Sequence, residues 1–165
     1  MRPLRELLAC DRRQTLEFFF AGLRELSEPA VDQQELLYNA SVLAHHAQVS
    51  TQAATDMPTP ASLSDVFDAF VLRATLQHDA AMMETAGAQC LLLAGFFEDQ
   101  MRERHAIRWY AGLGAGFYFR AAALQRSSKK ARLLGAIGRR FESWRRRHAQ
   151  LSRELRGQAY LLPPH

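Results

Sequence analysis

One run, Ala86–Ala123 (AGAQCLLLAGFFEDQMRERHAIRWYAGLGAGFYFRAAA), limits what this chain can fold into more than any other stretch. Projected at 100° per residue, Met83, Gly87, Cys90, Ala94 and Phe97 share one side of a helix, while Leu92 and Phe96 fall opposite. A helix that is apolar all round is a buried helix. The link EDQMRERH is crowded with charge and must reach water. In the helix that follows, Trp109, Leu113 and Phe117 lie on one side and Ile107, Ala111 and Tyr118 on another. Gly112, Gly116 and Ala123 form a third lane. A mid-helix Gly costs about 1 kcal/mol relative to Ala, so this lane is expected where a neighbouring backbone comes close. The run therefore predicts a central antiparallel hairpin over about residues 80–124, clothed by the other helices.

No window shows the strict alternation of half-buried strands, and a hydrophobic fraction of 48% suits a globular chain. The expected fold class is all-α: a compact single-domain bundle of six to seven helices over residues 1–156. A surface loop is expected at 49–61 (VSTQAATDMPTPA), and a loose tail at 157–165. Leu4–Ala9 suggests a short first helix, and Asp11 an N-cap for a second that ends near Leu26. Leu16, Phe19, Phe20 and Leu23 make its apolar stripe. Asp32-Gln33-Gln34-Glu35 resembles a capping box. After it, Leu36, Ala40, Leu43 and Ala47 share one face, with Tyr38 and His45 opposite and His46 at the margin beside Asn39. Ser62-Leu63-Ser64-Asp65 opens a strongly amphipathic helix with Leu72 and Leu76 on its far side. His78-Asp79 marks the boundary before the hairpin.

Past Gln125, a basic turn (RSSKK) leads into a last helix that ends near Arg156. Ile137, Phe141, Trp144, His148, Leu151 and Leu155 recur at spacings of 4 and 3, a heptad-like seam. Arg139, Arg140, Arg145, Arg146, Arg147 and Arg153 flank it. The charge is split along the chain: residues 1–119 hold 9 Lys/Arg against 15 Asp/Glu, and residues 120–165 hold 12 against 2.

The hairpin residues LLLAGFF and WYAGLGAGFYFRAA, with LLYNASVLAHHA upstream, resemble the core of a family of bacterial all-helical proteins of unassigned function. The resemblance spans about residues 36–155. It implies a bacterial helical domain and brings no catalytic residue with it.

Chemistry-bearing patterns are few. His45-His46 are adjacent, and neighbours on a helix point about 100° apart. The sequence contains no HExxH, no Glu-x-x-His and no Cys pair at metal spacing. Cys90 sits among leucines, where a thiol stays protonated and inert. Cys10 and Cys90 read as free thiols of a reducing compartment. Gly112, Gly114 and Gly116 lack the spacing and the preceding strand of a dinucleotide loop. Leu7-Leu8-Ala9-Cys10 has the form of a lipobox, but too few apolar residues precede Cys10 for a signal core. The longest apolar run, Cys90–Phe97, falls far short of the roughly 20 residues that span a bilayer.

The expectation is a cytoplasmic, non-enzymatic bacterial regulator or adaptor with no metal and no cofactor. It binds a protein partner through the basic amphipathic C-terminal helix. Arg139, Arg140, Arg145, Arg146, Arg147 and Arg153 supply an electrostatic contact, and Leu72 and Leu76 a second, apolar one. A homodimer pairing the acidic body with the basic helix is a further arrangement. The alternative is a nucleic-acid-binding regulator using the same arginines against phosphates. A third reading is a ligand- or cofactor-binding helical protein, such as one holding haem through a lone His or Met. A membrane is not among the expected partners.

Overall fold

The computed structural model describes residues 12–52, 79–101 and 104–157. They form an all-α protein, with six α-helices and no strand among the described residues. The helices are α1 (Arg12–Glu25), α2 (Gln33–Gln52), α3 (Ala80–Leu91), α4 (Arg104–Leu124), α5 (Ser128–Arg139) and α6 (Phe141–Gly157). They fall into two units. Residues 12–52 and 150–157 belong to one, and residues 79–101 and 104–149 to the other.

In the first unit α1 packs on α2. The predicted face of α2 is buried in full at Leu36, Ala40, Leu43 and Ala47. Asp32 caps the helix, its Oδ1 accepting from the backbone N–H of Gln34 at 2.9 Å and of Glu35 at 3.0 Å. This satisfies two of the donors that a helix start leaves open. Asn39 and His46 sit inside rather than at the margin. On α1 the buried stripe is Thr15, Phe19 and Leu23, with Leu16 and Phe20 at its edge. Thr15 takes an inside place because its hydroxyl accepts a hydrogen bond from the Gln48 amide at 2.8 Å. The helix α2 continues through Gln52, so the loop expected from residue 49 starts later. The rest of that loop, the helices expected at 4–9 and 62–76, and the tail beyond Gly157 lie outside the described residues.

In the second unit α3 and α4 form the antiparallel hairpin. Its direction can be read from two close approaches. A Cβ on Gly87 would stand 2.9 Å from the Tyr118 ring, and one on Gly114 would stand 2.7 Å from Cβ of Cys90. Asp79 caps α3, accepting from the N–H groups of Ala81 and Met82. Met83, Gly87, Cys90, Ala94 and Phe97 are all buried, as are Leu91, Leu92 and Leu93. The helix does not run on as α to Phe97, however. Leu92–Phe96 widens into a π turn closed by the N–H of Phe97 donating to the Leu92 carbonyl at 2.8 Å. Glu98–Gln100 follows as a 3₁₀ turn, and α4 begins already at Arg104.

The small-residue lane of α4 is where expectation and structure part. Gly112 and Gly116 have nothing within 4 Å of a would-be Cβ among the described residues, and both are exposed, as is Ala123. The buried face of α4 is Ile107, Tyr110, Gly114, Phe117, Tyr118 and Ala121, while Trp109 is 51% exposed. Gly114 is the glycine that permits close packing: a Cβ there would lie 2.4 Å from the Phe141 ring.

The expected single last helix is two helices. Arg140, at φ −103° and ψ 20°, stands between α5 and α6. Its N–H donates to the Ala136 carbonyl and its carbonyl accepts from the Trp144 N–H, both at 3.0 Å. One residue thus closes α5 and opens α6. The apolar seam survives the break. Ile137, Phe141, Trp144, His148, Leu151 and Leu155 are all buried.

Candidate interaction surface

Eight of the twelve Lys/Arg among the described residues of the second unit lie on α5, at Arg140 or in the first turns of α6. Ser127 starts α5, its hydroxyl accepting from the Lys130 N–H. Leu134, Ile137 and Gly138 face inward, and Phe119 packs against Gly138, where a Cβ would stand 3.0 Å from its ring. With that side committed, Lys129, Arg132 and Arg139, at i, i+3 and i+10, fall on the solvent side. All three are exposed, as is Arg140 at the junction. Arg139 lies in the last turn of α5, where positive charge opposes the helix dipole. Lys130 is turned to Glu84, with 3.0 Å between Nζ and Oε1.

The six arginines expected to share one task are given different ones. Arg145 is drawn inward, and its side chain is only 12% exposed. Its Nη1 donates to the Ala94 carbonyl at 3.1 Å and to Glu98 Oε1 at 3.0 Å, and its Nε donates to Glu142 Oε2 at 2.8 Å. The Ala94 carbonyl lies in the π turn that follows α3, and Arg145 donates to it there. It is a bolt between α6 and the end of α3, which removes it from the outside contact expected of it. The Arg145 guanidinium holds the Glu142 carboxyl below its usual range, and the same hydrogen bond raises Arg145.

Arg146 also bonds Glu142, at 3.1 Å, but its side chain stays 73% exposed. Arg147 lies across the Trp144 ring, with its guanidinium carbon 4.4 Å from the ring centroid. Arg139 and Arg140 are exposed at the α5–α6 junction, whereas Arg153 belongs to the other unit. Leu72 and Leu76 lie outside the described residues. Lys129 and Arg132 were not singled out from sequence, because RSSKK reads as a turn and the break at Arg140 has no Pro to mark it.

No protein-family model, curated protein or solved structure matches this chain. Nothing in these comparisons bears on the family resemblance expected from the hairpin sequence. The functional reading therefore stands on the chain's own residues.

Burial governs three titratable side chains among the described residues, Cys90, His148 and His46. Burial pushes the Cys90 thiol well up, which keeps it protonated. Burial lowers His148 to about 3, with Arg147 adding to the effect. Burial likewise lowers His46 to about 4, with His45 adding. Both rings are neutral at physiological pH. Among the described residues no three His, Cys, Asp or Glu side chains converge as a metal site would require. No helix among them is long and apolar enough to cross a membrane.

Proposed function

We propose that this protein is a non-enzymatic adaptor or regulator that binds an acidic protein partner through the outer face of α5 and the α5–α6 junction. Lys129, Arg132, Arg139, Arg140 and Arg146 carry the contact. The supporting observation is one of sign and exposure. The described residues of the second unit hold twelve Lys/Arg against five Asp/Glu, and those of the first hold five against six. A patch of one sign steers a partner of the other and speeds the encounter. A protein partner is favoured over single-stranded nucleic acid because Phe141 and Trp144 are buried, which leaves half-exposed Phe119, packed against Gly138, as a single ring beside these cations where a strand stacks on successive ones.

The test is reversal of Arg132, Arg139 and Arg140 to Glu, followed by affinity capture from the native host. The partner held by the wild type is expected to be lost while the circular dichroism stays helical. Retention of every partner by the folded variant overturns the reading. Labelled duplex DNA supplies the alternative. Tight binding that weakens steeply with salt, and vanishes in the same variant, replaces the protein partner by phosphate.

A further inference from the structure

We propose that the first unit carries a second docking site, of opposite sign, for a basic amphipathic helix of another protein. A trough of about 340 Å³ runs between α1 and the last turns of α6. Phe18, Ala21, Gly22 and Leu151 line it, and Glu25 and Glu154 border it. The residues on α1 stand at i, i+3, i+4 and i+7, and Leu151 and Glu154 on α6 at i and i+3, so two side-chain ridges flank a groove. That is the shape into which the ridge of a third helix fits.

The floor is low because Gly22 has no side chain. A Cβ there would lie 2.9 Å from Cδ1 of Leu151, so the backbone of α1 itself closes the trough. Leu151 is buried, while Ala21 is exposed on the open flank.

Charge selects the occupant. Glu25 and Glu154 are both exposed, and neither forms an ion pair or a hydrogen bond among the described residues. Arg24, next to Glu25, is held over the Phe20 ring at 5.7 Å instead. An apolar trough with two carboxylates unengaged at its edge suits a helix whose leucines fill the groove and whose Lys or Arg reach the carboxylates. The site goes beyond the basic face, since it uses the other unit and the opposite charge.

The experiment measures fluorescence anisotropy of a labelled synthetic Leu/Lys peptide, apolar at i, i+3, i+4 and i+7, titrated with the full chain. Binding at low salt is expected. Glu25→Gln with Glu154→Gln should weaken it about tenfold, and Ala21→Trp should block it by filling the trough from its exposed side. Arg139→Glu with Arg140→Glu should leave it unchanged, which separates this site from the basic face. Absence of binding, or binding that survives both the carboxamide pair and Ala21→Trp, overturns the proposal. So does concentration-dependent self-association of the chain that the trough variants abolish, because the occupant is then a second copy.

Discussion

The two sides of α4 contrast within a single GLGAG motif. Gly114 faces Cys90 and Phe141 with no room for a methyl group, while Gly112 and Gly116, two residues to either side, face open space among the described residues. The backbone preference is the same at all three positions, and the surroundings differ completely. A glycine in a helix is therefore a question about its neighbours, and only the inward one is explained by packing. Gly95 extends the closed side: a Cβ there would lie 2.9 Å from the Arg145 carbonyl oxygen and 3.0 Å from Cβ of His148.

Acid should strain the closed side most. His148 and His46 are neutral in the fold, with pKa lowered to about 3 and about 4 from 6.5. Below pH 6.5 the unfolded chain takes up protons that the folded chain refuses. Stability is thus whole above that pH and falls by about 1.4 kcal/mol per pH unit for each histidine as pH drops toward the folded values. Urea midpoints measured from pH 7.5 to 4.5 should decline with this slope. His148→Gln should reduce it by about half, leaving the His46 share, and a pH-independent midpoint in the wild type would mean that neither ring is sealed in.

Gly114→Ala and Gly95→Ala come next. Each inserts a methyl group into filled space, which costs about 1–3 kcal/mol against a helix-propensity gain of about 1 kcal/mol. Gly95 meets backbone, which yields least, so its loss should be the more stubborn of the two. A thermal midpoint equal to wild type in both would break the contrast.

The arginines repeat the lesson at smaller scale. Arg145→Met removes hydrogen bonds to the Ala94 carbonyl, Glu98 and Glu142, and should cost about 1–3 kcal/mol. Arg146→Met, one residue on and exposed, should cost no more than about 0.5 kcal/mol. Equal losses in chemical denaturation would place the two side chains in equivalent surroundings.

The smallest effect has the opposite sign. Gly112→Ala and Gly116→Ala should each stabilise the protein by about 0.5–1 kcal/mol, since a methyl group meets nothing and helix entropy improves. A loss at either position would show that this lane is covered.

Much of the fold was legible in the chain. The faces of α2 and α3, the cap at Asp32, the boundary at His78-Asp79, and the buried seam from Ile137 to Leu155 all follow from helical spacing and local hydrogen bonding. These are properties of a residue and its neighbours within a turn or two. The candidate surface was legible only in composition. A row of arginines between residues 139 and 153 shows that positive charge gathers there, but not which guanidinium is used internally. Arg145 is consumed because a π turn far away in sequence brings the Ala94 carbonyl and Glu98 within its reach.

The sequence by itself determined the all-α class, the apolar faces of α2 and α3 and the charge imbalance between its two ends, because each depends on residues close together along the chain. Only the tertiary structure decided which glycine of GLGAG lies inward, where the last helix breaks, and which arginines still face water. Those outcomes depend on atoms brought into contact from distant positions, and no local period encodes them.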